Sequence, residues 1–109
     1  MDIIQFLEEL KKIIEKIEKL VEELENSTNN GIQKMPELME RIQVLLPGWF
    51  YFIEQTGIGE KQEILKVLED VAIGVEMQDG VILADALFCG LREIMLGYKE
   101  VIEDALCGE

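Results

Sequence analysis

Apolar residues at Ile3, Leu7, Leu10, Ile14, Ile17, Val21 and Leu24 recur at an unbroken 4-3 spacing, and Phe6, Ile13 and Leu20 widen that stripe along one flank. A period close to 3.6 with a stripe three positions wide predicts a long amphipathic helix packed against two neighbours, rather than the narrow seam of a two-stranded coiled coil. Asp2 and Gln5 have the spacing of a capping box, and Glu8/Lys12, Glu15/Lys19 and Lys19/Glu23 are placed to pair along a solvated face. Asn26-Ser27-Thr28-Asn29-Asn30-Gly31 is a polar run of helix-terminating residues and reads as a loop.

Pro36 suits the first turn of a second helix, where its missing N–H costs nothing. The stripe there is Leu38, Ile42, Leu45, Trp49, Phe52 or Ile53, and Thr56. Its phase continues across Pro47, which predicts one helix kinked near Pro47-Gly48, with the Gln43 carbonyl released from its usual partner. This helix carries Trp49-Phe50-Tyr51-Phe52, four of the seven aromatic residues of the chain. Successive helical residues lie 100° apart, so four in a row cover the circumference and do not share one core. With Leu45 and Trp49 inside, Phe50 falls on the flank and Tyr51 points away with Glu37, Glu40 and Val44.

Thr56-Gly57-Ile58-Gly59 ends the second helix, and a third begins near Glu60 with a core face of Ile64, Leu65, Leu68, Val71, Ala72 and Val75. Gln78-Asp79-Gly80 is a turn signal in which Asp79 is placed to cap the next helix. That fourth helix runs from Val81 to about Leu106. Its stripe is Leu83, Ala84, Leu87, Leu91, Ile94, Tyr98, Val101, Ile102 and Ala105, with Phe88 and Met95 at one edge. Ala86, Gly90 and Gly97 form a shallow flank for close backbone approach. On the opposite face Ile82, Cys89 and Leu96 recur at intervals of seven beside Asp85 and Arg92. A face turned wholly to solvent has no need of three apolar residues in register. Tyr51, Ile82, Asp85, Cys89, Arg92 and Leu96 are therefore the candidate interface residues, with Asp85 and Arg92 as polar contacts beside the apolar strip.

Composition narrows the chemistry. At 109 residues the chain fits a single helical-bundle domain, and 49% hydrophobic content argues for a folded one despite a net charge of −13. So acidic a field disfavours nucleic acid and anionic membranes and suits basic or amphipathic partners. Histidine is absent, the sole serine is Ser27, and the only threonines are Thr28 and Thr56. The usual general base, the commonest nitrogen metal ligand and nearly all hydroxyl nucleophiles are thus missing. Di-iron bundle sites need Glu-x-x-His, and no stretch has the spacing of a calcium loop. Cys89 and Cys107 do not form a CxxC pattern. No secretory signal is evident, since the amino terminus carries acidic residues at once and lysines only from Lys11, and no membrane span, since Asp85, Arg92 and Glu93 interrupt the most apolar window. A cytoplasmic protein with reduced thiols is expected.

The segment Gln78-Asp79-Gly80-Val81-Ile82-Leu83-Ala84-Asp85-Ala86-Leu87, with Leu46-Pro47-Gly48 upstream, resembles a family of small acidic uncharacterised helical proteins of Gram-positive bacteria. The likeness covers about a third of the chain, which departs from the pattern after Asp85. It implies a helical fold and no chemistry. Size, acidity and helical content are also similar to those of the small acidic chaperones of flagellar and type III secretion systems, a likeness of composition alone. The resulting expectation is an all-α, four-helix antiparallel up-down bundle, with helices at about 2–26, 35–56, 60–77 and 81–106. It is read as a non-enzymatic, chaperone-like or regulatory protein-interaction module without metal or cofactor, binding an amphipathic helix or forming a homodimer. The alternative is a binder of a small molecule or lipid in a cavity between helices near Trp49.

Overall fold

A computed structural model describes residues 2–108. Among them lie five helices: α1 (Ile3–Asn26), α2 (Thr28–Gln33), α3 (Met35–Thr56), α4 (Lys61–Glu76) and α5, which spans residues 80–107. The last is continuous but not uniform, since Gly80–Asp85 and Arg92–Cys107 are α-helical and Ala86–Leu91 between them is a π-helical turn. No strand occurs among the described residues, and the fold is all-α.

The helix absent from the four-helix expectation is α2, which occupies the polar run that reads as a loop. Ser27 adopts an extended backbone (φ −156°, ψ 111°) and its hydroxyl accepts from the Asn30 N–H at 3.4 Å, so α1 ends and α2 begins at one residue. Gly31 serves close approach rather than a turn: a Cβ there would lie 2.4 Å from Leu24 Cδ2. The short helix folds back on the end of α1 as a result.

In α1 the stripe is buried from Phe6 to Leu24, while Ile3 is exposed. The capping box forms, with Asp2 Oδ1 accepting from Gln5 N at 2.8 Å and Gln5 Oε1 accepting from Asp2 N at 3.3 Å. The three expected i,i+4 pairs are not among the ion pairs of the described residues. Within α1 Lys12 pairs with Glu9 (3.6 Å), and other charges reach across the fold: Glu9 to Arg41 (3.8 Å) and Lys16 to Glu37 (3.4 Å) of α3, Glu23 to Lys34 (2.8 Å) between α2 and α3, and Lys11 to Glu103 (3.2 Å) of α5. Exposed pairs contribute only about 0–1 kcal/mol each, so these set orientation more than stability.

Helix α3 runs unbroken through Pro47, as the continuous phase predicts; the kink expected there is not shown. Pro47 is exposed, where water can take up the freed carbonyl of Gln43, itself exposed. Trp49 is fully buried and meets Tyr98 of α5 edge-on, ring centroids 5.3 Å apart. Its Nε1 is the one buried side-chain polar atom without a hydrogen-bond partner among the described residues. Thr56 is exposed rather than core, and its hydroxyl donates to the Phe52 carbonyl at 2.7 Å. Gly57 closes the helix in the left-handed region, at φ 71°.

The buried face of α4 is Ile64, Val71 and Gly74, flanked by half-buried Val67, Leu68 and Val75. Leu65 and Ala72, expected inside, are exposed. Gly74 explains the rotation. A Cβ there would stand 2.8 Å from Leu83 Cα and 2.9 Å from Leu83 N, so the backbones of α4 and α5 touch along this edge. The turn between them places Gln78, not Gly80, at positive φ, and Asp79 Oδ1 accepts from the N–H groups of Val81 (2.9 Å) and Ile82 (3.0 Å).

The stripe of α5 is Leu83, Leu87, Leu91, Met95, Tyr98 and Ile102, all buried, while Val101 and Ala105 are exposed and Ile94 is half-buried. Three steps of four in succession would drift about 120° round a 3.6-residue helix. The π turn absorbs that drift: the Arg92 N–H reaches back five residues to the Leu87 carbonyl, and one extra residue is accommodated.

Substituting the glycines of α4 and α5 tests the close contact. Gly97 has open space beside it, so Gly97→Ala raises stability by up to about 1 kcal/mol through helix propensity. Gly74→Ala lowers it by about 1–3 kcal/mol, because the added methyl overpacks a backbone contact. Urea midpoints of the two variants should move in opposite directions; a shared direction contradicts the contact.

Candidate interaction surface

The six residues singled out by sequence do not form one surface. Trp49 and Phe52 face Tyr98 of α5, and Tyr51, 200° round α3 from Trp49, turns away from it. Its side chain is 64% exposed, one helical face with exposed Val44. The heptad strip on α5 also breaks up. An extra residue in the π turn rotates everything after it by about 100° relative to a regular helix, so Ile82, Cys89 and Leu96 lose their common face.

Each then finds a separate environment. Ile82 is exposed, and Leu96 is half-buried against the core. Arg92 is drawn to α1, where its Nε donates to Glu18 Oε2 at 2.8 Å; its Nη1 donates to Glu93 Oε2 at 2.8 Å. Its guanidinium also lies 4.2 Å from the centre of the Phe88 ring. Arg92 thus joins α5 to α1, and its charge is already matched by two carboxylates. Asp85 and Cys89 stay together, one turn apart, on the wall of a cleft.

That cleft, about 640 Å³, runs between the C-terminal part of α1 and the first half of α5, with α2 at one end. Val21 and Leu24 of α1 and Ala84 of α5 form its apolar lining, joined by Val81 and Phe88. Val81 is 81% exposed and Phe88 39%. Glu25 and Asp85 are its charged residues, and no lysine or arginine lines it. Thr28 and Gly80 close the end, where a Cβ on Gly80 would lie 2.6 Å from Thr28 Oγ1. The cap on Asp79 fixes where α5 starts, and the π turn fixes where Phe88 and Cys89 emerge.

Periodicity alone places Phe88 at a core edge, Ala84 in the core and Val81 only at a helix start. The signal for the cleft lies in the run Leu83, Leu87, Leu91, Met95, whose spacing of four exceeds the helical repeat and calls for an extra residue. A second cleft, of about 440 Å³ between α1 and α3, is of mixed charge, lined among others by Lys16, Lys19, Lys34, Glu22 and Glu37.

The chemistry at the main cleft is muted. Asp85, accepting from the thiol, is the chief cause that pushes the Cys89 pKa above its ordinary value; burial adds to it, and Arg92 opposes it. Cys89 and Cys107 are both free and exposed. Among the described residues no group of three or more Cys, Asp or Glu side chains is placed to hold a metal ion, and no helix is long and apolar enough to cross a membrane. No protein-family model matches the chain, and no curated protein or solved structure matches it either.

A raised thiol pKa means less thiolate at a given pH and slower alkylation. In a Cys107→Ser background, Asp85→Asn should bring the Cys89 pKa down and speed its reaction with iodoacetamide at pH 8. An unchanged rate across the pH profile contradicts the Asp85–Cys89 contact.

Proposed function

We propose that the chain is a non-enzymatic protein-interaction module, of the chaperone-like or regulatory kind, that makes its contact through the α1–α5 cleft. The observation that carries this reading is the exposure of Val81 and Phe88 above an apolar floor, rimmed by carboxylates. Apolar surface gathered in this way and edged by polar groups marks contact sites, whereas scattered exposed apolar residues do not. Tyr51 remains a separate exposed aromatic on α3.

The scaffold we infer is a four-helix up-down bundle of α1, α3, α4 and α5, with α2 as an added turn. Glu9–Arg41 and Glu23–Lys34 support an antiparallel α1–α3 pair, and Lys11–Glu103 and Glu18–Arg92 an antiparallel α1–α5 pair. Gly74 against Leu83 and Gly90 beside Val67 support the same for α4 and α5. A second reading, a small-molecule or lipid binder near Trp49, has less support, since Trp49 is fully buried, packs edge-on against Tyr98 and lines neither of the clefts described above. A shift of Trp49 emission on adding lipid or an extract of small molecules would support it.

A photo-crosslinking residue placed at Val81 tests the leading reading in the native cell. Adducts of defined mass at Val81, absent when the same group stands at exposed Gln62 of α4, are the expected result; equal labelling at both positions contradicts it. Val81→Glu should abolish the adducts formed from a crosslinker at Phe88. Its stability should stay within about 0.5 kcal/mol of the parent, because the side chain is exposed and an acid suits the first turn of a helix.

A further inference from the structure

We infer that the α1–α5 cleft receives a basic amphipathic helix from another protein, apolar edge inward and lysines or arginines against Glu25 and Asp85. This rests on the reading of the chain as an interaction module and specifies its partner. Three observations select that occupant. The lining combines an apolar floor with carboxylates as its charged groups, so a docked segment needs apolar side chains on one edge and cations beside them. Arg92, the nearest cation on α5, is held by Glu18 and Glu93 and stacked on Phe88, which leaves it little charge to repel a basic partner. The apolar wall from Val81 to Phe88 covers two turns of α5, about 10 Å, the length over which a docked helix presents residues i, i+3 or i+4, and i+7.

A second copy of the chain fits poorly. It carries a net charge of −13 and, in a two-fold contact through this cleft, would set the acidic rim of Glu25 and Asp85 against the same acidic patch of the other copy. A basic helix gains from the same field through faster encounter.

The test uses the whole chain, labelled with 15N, and two synthetic 18-residue peptides with leucines spaced i, i+3, i+4, i+7 and either lysine or glutamate at all other positions. The lysine peptide should bind, shifting the amide signals of Val21, Val81, Phe88 and Cys89, and the glutamate peptide should not. Phe88→Ala and Val81→Ser leave the charge unchanged and should each weaken lysine-peptide binding at least tenfold, with melting curves showing that both variants fold. Equal affinity for parent and variants would reduce the binding to a diffuse acidic field and overturn the proposal, as would binding of the glutamate peptide. Sedimentation separates this failure from that of the broader reading. A dimer that Val81→Ser dissociates would replace the basic helix by a second copy and leave the interaction module standing. A monomer that binds neither peptide and gives no adducts at Val81 removes both.

Discussion

The register of α5 is the constraint on which the rest of the structure depends. One helix, residues 80–107, turns a single apolar edge toward α1 along its length, toward α4 as far as the π turn, and toward Trp49 and Phe52 of α3 at Tyr98. The residues available for that edge, Leu83, Leu87, Leu91, Met95, Tyr98 and Ile102, are spaced 4-4-4-3-4. A regular helix would wind the edge out of the core within three turns. Setting aside one residue in the π turn restores a 4-3-4-3-4 repeat, and every member of the stripe is buried. The glycines complete the fit. Gly74 lets α4 lie against the backbone at Leu83, and Gly90, inside the π turn, leaves a Cβ only 3.3 Å from Val67 Cγ1.

The surface is shaped by the same accommodation. An extra residue in a helical turn has to go outward, and Phe88 and Cys89 emerge here, beside Ala84 and Asp85 and opposite Val21 and Leu24. Single π turns inside α-helices are frequent at functional sites, because the local widening presents side chains that a regular helix would turn aside. In this protein the widening also brings Arg92 to Glu18, so the contact that ties α5 to α1 lies directly after the segment that opens the cleft. Core packing and surface presentation are therefore one feature seen from two sides.

Where periodicity is long and regular, the sequence was legible. The α1 stripe, its capping box, the cap at Asp79, the burial of Trp49 and the exposure of Tyr51 all come from spacing and from local hydrogen-bond chemistry. Three features do not. Helix α2 hides in Ser, Thr and Asn residues that usually end helices, because Ser27 caps the new helix while Gly31 folds it onto Leu24. The face of α4 is set by the close approach at Gly74, a tertiary contact, so Leu65 and Ala72 turn outward although their period suits a core. The strip of Ile82, Cys89 and Leu96 assumes a uniform helix, and the π turn dissolves it. The candidate site is half visible as a result: Asp85 and Cys89 belong to it and Arg92 supports it, whereas spacing puts Phe88 at a core edge and Val81 at a helix start, without marking either as surface.

A comparison of two single-residue deletions tests the register of α5 most directly. Removing Cys89 turns the five-residue reach from Arg92 to Leu87 into the usual four and leaves the buried stripe in phase. Cooperative thermal unfolding with a stability within about 2 kcal/mol of the parent is expected, since only an exposed side chain and a half-open turn are lost. Removing exposed Glu15 from the regular helix α1 rotates Ile17, Leu20, Val21 and Leu24 by about 100° and should cost several kcal/mol or abolish folding. If deletion of Cys89 is as damaging as deletion of Glu15, α5 is not held in register by its π turn, and the reading of the cleft falls with it.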